Sequence, residues 1–161
     1  MIHNVIFDIG NVLADFHPIP YFSKLLPNCD VEAICACVFD EIWEGIDRGD
    51  YLCEEAKQLH FRKYPQVQKE IEVIYAHWLE MMKPMEESFA YMKECKEHGY
   101  RVYLLSNIGI ECHEYLARRD DYFGFADGMV LSYQERCIKP EHRIYEILLQ
   151  RYGLKAEECV F

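Results

Sequence analysis

The sequence predicts an α/β protein built on a parallel sheet, and three features of it lead there. Short apolar runs end in polar or glycine-loosened loops, helical spacing fills the intervals between them, and one long interval is helical throughout. Val5-Ile6-Phe7 closing on Asp8-Ile9-Gly10-Asn11 is the pattern of a buried strand that stops where the chain turns polar. Residues 18–82 then show helical spacing without a convincing strand: Pro18 to Leu26, Asp30 to Asp40, Cys53 to Tyr64, and Gln66 to Met82. Asp30 is placed to cap the second of these helices, while Gly45, Asp47, Gly49 and Asp50 read as a break before the third. Pro84 marks the return to the sheet. Met85 to His98 is an amphipathic helix stopped by Gly99, and Arg101 to Leu105 is a second buried strand ending in Ser106-Asn107. A helix near Glu111 to Arg118, a strand Gly128 to Leu131 ending at Ser132, a helix Glu141 to Tyr152 stopped by Gly153, and a fourth strand beginning at Cys159-Val160-Phe161 complete the order. Strand and helix alternate, so the strands run parallel with right-handed crossovers. Arg118-Arg119-Asp120-Asp121 reads as a solvated loop.

At 161 residues the chain is one domain, or a core carrying a small insert. Lys and Arg number 17 against 28 Asp and Glu, a net charge of -11, which disfavours nucleic acid and anionic membrane as partners. The first residues lack the basic segment and long apolar run of a secretory signal, and no run of about 18 apolar residues occurs, so a cytoplasmic location is expected. Most of the eight cysteines sit in apolar periodic stretches such as Ala33 to Val38 and read as reduced core thiols. There is no CxxC pair, and the histidines lack ligand spacing, so no structural zinc is expected. His17, Tyr21, Trp43 and Arg48 lie in or beside the helical interval, with Trp43 expected in the core; His60, His77, His98 and His113 read as surface or packing residues.

In open parallel sheets, ligands gather at the carboxyl ends of the strands, near the switch in strand order. The polar residues just past the strands are Asp8, Ser106 with Asn107, and Lys139 in Cys137-Ile138-Lys139-Pro140. Such a set has coherent chemistry: a carboxylate to attack an electrophile, a hydroxyl and backbone amides to hold oxygens, and an ammonium to offset charge. Ile6-Phe7-Asp8-Ile9-Gly10-Asn11-Val12-Leu13, Leu104-Leu105-Ser106-Asn107, and Ile138-Lys139-Pro140-Glu141-His142-Arg143-Ile144-Tyr145 resemble the first three motifs of the haloacid dehalogenase (HAD) superfamily. The resemblance spans essentially the whole chain and is strongest to the small sugar-phosphate phosphatases, of glucose-1-phosphate type. It implies a Rossmann-like parallel sheet core over residues 1–16 and 84–161, with an inserted four-helix cap over residues 17–83. It further implies that Asp8 forms an aspartyl-phosphate, that Ser106 and the Asn107 amide bind phosphoryl oxygens, and that Lys139 balances their charge. Mg²⁺ would be held by the Asp8 side chain and the Gly10 carbonyl, and the partner would be a small phosphorylated metabolite.

Two departures from the family pattern shape the expectation. Most phosphatases of the family place a second aspartate two residues after the nucleophile, to protonate the leaving oxygen; here that position is Gly10. An anomeric oxygen is less basic than an ordinary alkoxide, so a sugar 1-phosphate suits this pattern better than a 6-phosphate. The family's fourth motif, an acidic pair just after the strand that Cys159-Val160-Phe161 begins, does not occur in the sequence. The expectation is therefore a piece of a longer polypeptide with the C-terminal part of the core missing. Mg²⁺ binding and turnover would be weak, and the incomplete sheet would be open to self-association. Two rivals stand beside the phosphatase: a 2-haloacid dehalogenase, whose pattern has an aromatic residue at Gly10 and Gly-Thr at Asn11-Val12, and a non-catalytic binding module.

Overall fold

A computed structural model describes residues 1–119 and 123–161; Asp120 and Asp121 of the expected solvated loop lie outside the described residues. Four strands, β1 (Asn4–Phe7), β2 (Arg101–Ser106), β3 (Gly128–Leu131) and β4 (Cys159–Val160), form a parallel sheet in the order β3-β2-β1-β4. β1 pairs with β2 from Asn4↔Arg101 to Phe7↔Leu104, whereas β4 covers only Asn4 and Val5. Successive side chains of a strand point to opposite faces. Phe7, Val102, Leu104 and Leu131 therefore enter one core, and Ile6, Tyr103, Leu105 and Val130 another. Strand order reverses about β1, which has β2 on one side and β4 on the other, so the crevice of this sheet opens just past Phe7.

The interval between β1 and β2 holds α1 (Pro18–Leu25), α2 (Val31–Val38), α3 (Glu41–Arg48), α4 (Cys53–Lys63), α5 (Gln68–His77) and α6 (Glu86–Glu97). After β2 come α7 (Ile110–Ala117), α8 (Ser132–Glu135) directly after β3, and α9 (His142–Tyr152). The second core is closed by Ile144 and Leu148 of α9. Among the described residues no helix is long and apolar enough to cross a membrane. All eight cysteines are free, with Cys35, Cys95, Cys112 and Cys137 buried.

Three local readings are corrected. The expected helix from Gln66 to Met82 is divided, with α5 passing into a 3-10 turn at Trp78–Met81. Ser132 does not simply end β3 but opens the short α8, which stops at Arg136 with φ +55°. The break assigned to Gly45–Asp50 is largely helix α3. The Asp40 carboxylate caps α3 by accepting the Ile42 N–H at 2.8 Å. Gly45 sits inside the helix because a Cβ there would lie 2.6 Å from the Tyr51 ring. Gly49 ends it at φ +79°, where a Cβ would lie 2.6 Å from the Tyr133 carbonyl oxygen. Gly49→Ala is thus expected to cost about 1–3 kcal/mol through strain and clash together. Its urea midpoint should fall at unchanged denaturant slope.

Asp40 also joins α3 to α4. Its carboxylate accepts from His60 Nε2 at 2.9 Å, Lys63 Nζ at 2.7 Å and the Tyr64 hydroxyl at 3.0 Å. His60 is fully buried, and its Nδ1 lies 2.8 Å from the Tyr75 hydroxyl, so it is a packing residue with both ring nitrogens bonded.

Candidate active site

Asp8 follows β1 immediately, with its Oδ1 accepting the Ile9 N–H at 2.8 Å. Lys139 Nζ lies 2.6 Å from Asp8 Oδ2 and also donates to the Leu105 carbonyl at 3.1 Å. Only 14% of the lysine side chain is exposed, against 33% of the Asp8 side chain, so the ammonium is held while the carboxylate faces out. Asn107 clamps the lysine's backbone. The Lys139 N–H donates to Asn107 Oδ1 at 2.6 Å, and Asn107 Nδ2 donates to the Lys139 carbonyl at 3.0 Å. Ser106 is buried at the end of β2, its hydroxyl 3.4 Å from the Asn107 carbonyl. The loop after Asp8 is tightened by the Ile9 carbonyl, which accepts from the Leu13 and Ala14 amides at 2.8 and 2.9 Å, and by Asn11 Oδ1, which accepts the Phe16 N–H at 2.8 Å.

Gly10, Ser106 and Asn107 line a cleft of about 180 Å³. Its walls are apolar: Phe16, Phe39, Trp43, Trp78, Met82 and Ile108. Asp8 itself borders a second hollow beside β4, with Val12, Tyr91 and Phe161, while its chain neighbours Ile9 and Gly10 line the first. Five of the residues picked from sequence, Asp8, Gly10, Ser106, Asn107 and Lys139, thus converge on the end of β1. Trp43 is buried as expected, meeting Phe39 edge-on at 4.7 Å and Trp78 at 4.9 Å, and it also walls the cleft. His17 and Tyr21 face a different hollow with Asp15 and Lys83, and Arg48 bonds Glu141.

Asp47 was missed from sequence, having been read as part of a break. It lies on α3 one turn beyond Trp43 and lines the cleft. The i, i+4 spacing Trp43–Asp47 places both on one helix face, a signal legible only once the segment is known to be helical. Burial pushes its carboxyl up to about 7; Glu44 and Asp8 add to the rise and Lys139 opposes it. The end of α3 is fastened to the sheet. Ser132 Oγ donates to the Asp47 carbonyl at 2.5 Å and accepts the Ile108 N–H at 2.8 Å, and Arg136 donates to the Gly49 carbonyl. Cys112 also lines the cleft, but burial pushes its thiol up to about 12, so no thiolate nucleophile is offered there. Among the described residues no group of three or more His, Cys, Asp or Glu side chains is set to hold a metal ion.

Fold and site together define an α/β protein with a lysine-paired carboxylate at the topological switch point of a parallel sheet. The chain belongs to the haloacid dehalogenase-like hydrolases, whose family model matches residues 2–161. It is 24% identical over 156 residues to a sesquiterpene phosphatase, astK, of Aspergillus oryzae, covering 97% of this chain and 77% of that one. It is similar to a HAD family enzyme of Bacteroides thetaiotaomicron solved in complex with magnesium and inorganic phosphate, with TM-score 0.71 and 21% identity, over 99% and 83% of the two chains. The L-2-haloacid dehalogenase of Xanthobacter autotrophicus shares the fold, with TM-score 0.67 and 15% identity, over 99% and 68%.

Proposed function

We propose that this chain is a Mg²⁺-dependent phosphatase that hydrolyses a small phosphorylated metabolite through an aspartyl-phosphate on Asp8. The observation that carries the reading is the 2.6 Å pair of Lys139 Nζ and Asp8 Oδ2 beside the Ser106-Asn107 loop. Asp8 attacks phosphorus, the Ser106 hydroxyl and the Asn107 N–H take phosphoryl oxygens, and Lys139 offsets the charge that gathers. The Asn107 side chain is a positioning group, since both of its polar atoms hold the Lys139 backbone. The Asp8 carboxylate and the Gly10 carbonyl are hard oxygen donors of the kind Mg²⁺ takes, with water and phosphate completing its shell, so the residues present fit the ion. Bound there, it supplies further neutralisation of the phosphoryl group. Residues 17–83 act as a cap over the cleft, and the location is cytoplasmic. Similarity to a phosphatase, and to a HAD family enzyme solved in complex with magnesium and inorganic phosphate, supports the reading.

The alcohol part of the substrate is small, because the cleft is. A sugar phosphate, with the 1-phosphate first, follows from Gly10, and the ring faces of Phe16, Phe39, Trp43 and Trp78 suit an apolar face of such a molecule. Phosphate release from a panel of esters with Mg²⁺, set beside halide release from a short 2-haloacid, tests the reading. Phosphate without halide supports it. Halide without phosphate makes the chain a dehalogenase, and neither product from folded protein makes it a binding module.

A further inference from the structure

We propose that the Asp47 carboxyl, brought to the cleft by helix α3, protonates the leaving alcohol and then deprotonates the attacking water; the assignment rests on the phosphatase reading above. The strand-end loop has no acid to give. Gly10 stands two residues past Asp8, and no atom lies within 4 Å of where a Cβ at Gly10 would be, so the cleft has room at that point. Asp47 borders the same cleft as Gly10, Ser106 and Asn107, and it is the one carboxyl among the described residues that line it. The cleft wall around it also holds Trp43, Phe39, Ile108 and Cys112, so its lining is largely apolar. The position is also fixed. The Ser132 hydroxyl joins the Asp47 carbonyl to the Ile108 amide just past β2, and Arg48 is bonded to Glu141 in the Lys139 segment. The acid is therefore registered against the strand ends themselves and not left to the rest of the helical interval.

The charged and titratable groups acting on Asp47 are Glu44, Asp8 and Lys139, with the protonated thiols of Cys53 and Cys112 close by. Their balance, led by burial, raises the carboxyl toward the range in which a general acid works.

The two half-reactions balance. As an Asp8 oxygen bonds phosphorus, the bond from phosphorus to the alcohol oxygen breaks and its electron pair stays on that oxygen. The oxygen takes the Asp47 proton, so the alcohol leaves neutral and Asp47 becomes a carboxylate. Water then attacks the aspartyl-phosphate, Asp47 accepts the water proton, and the pair of the breaking phosphorus–oxygen bond returns to Asp8. Ester and water have become alcohol and phosphate, and both carboxyls are restored. With this acid in place, the site is not confined to the weakly basic leaving oxygen of a sugar 1-phosphate, and ordinary alkyl phosphates come within reach.

The test compares two esters on Asp47→Asn and the parent chain, with Mg²⁺ and enzyme in excess: p-nitrophenyl phosphate, whose leaving phenolate is a weak base, and hexyl phosphate, whose leaving alkoxide is a strong one. Release of hexanol should fall by about 10²–10⁴-fold and release of nitrophenolate by less than about tenfold. Labelled aspartyl-phosphate should accumulate, and Asp47→Glu should recover part of the hexanol rate. The readout is the ratio of the two rates, so a partial loss of folded protein cancels. Equal falls for both esters, or an unchanged hexanol rate, would overturn the role of Asp47 while leaving an Asp8-dependent phosphatase standing. A parent chain that releases neither alcohol overturns the phosphatase reading and this assignment with it.

Discussion

Asp8→Asn is expected to remove phosphoryl transfer, lowering phosphoenzyme formation by at least about 10⁴-fold, a loss of the size seen when a nucleophile is deleted outright. The amide keeps the shape of the carboxylate but has neither its charge nor a nucleophilic oxygen. Lys139 keeps its bond to the Leu105 carbonyl, and the Asn107 clamp on its backbone does not involve Asp8. The variant should therefore fold like the parent, with its melting temperature moved by only a few degrees. Acid-quenched labelling with a phosphate ester separates the outcomes. Incorporation at the parent level in the variant would remove Asp8 from its role, and loss of both label and folded protein would show that the Asp8–Lys139 pair is a structural bridge.

The largest stability effect is expected from Asp40→Ala. The Asp40 side chain is 9% exposed and accepts four hydrogen bonds, from the Ile42 amide, His60, Lys63 and Tyr64. Its removal uncaps α3 and leaves the buried His60 Nε2 without an acceptor, which costs about 3 kcal/mol or more. For a chain of this size that is a fall of about 6–12 °C in melting temperature. Burial alone would raise the Asp40 carboxyl, but the bonds from Lys63, His60, the Ile42 amide and Tyr64 outweigh it and bring the carboxyl down to about 2. A carboxylate held below its ordinary value stabilises the fold fully above that value and stops doing so as pH falls through its native one. The gap between parent and variant should be constant at neutral pH, shrink below about pH 4, and go on shrinking as pH falls through about 2. A gap that widened in acid would show that the Asp40 hub is not charged in the native state. Because α3 also bears Trp43 and Asp47, a loosened α3 should blunt activity at temperatures where the sheet is still intact.

How much could be read in advance depended on whether the controlling interactions were local. The strands β1, β2 and β3 were legible because a buried parallel strand is an apolar run with a polar stop, and Asp8, Ser106 and Asn107 are those stops. Helix α3 was not legible. Glycine at 45 and two aspartates look like a turn, and what makes the segment helical is distant: Tyr51 filling the space over Gly45, and His60, Lys63 and Tyr64 charging the Asp40 cap. Asp47 was lost along with its helix. The Asn107 side chain was likewise unreadable, because its partner is the backbone of a residue 32 positions away.

Periodicity and punctuation, which act over a few residues, sufficed by themselves to determine an alternating parallel α/β order and the positions of the polar strand ends. Only the folded chain decided that Lys139 meets Asp8 at 2.6 Å, that Asn107 serves the lysine's backbone, and that a carboxyl from the helical interval lines the same cleft as Gly10. Contacts of that kind join segments as far apart as residues 8 and 139 and shift a group's chemistry through burial and neighbouring charge, neither of which a local sequence pattern encodes.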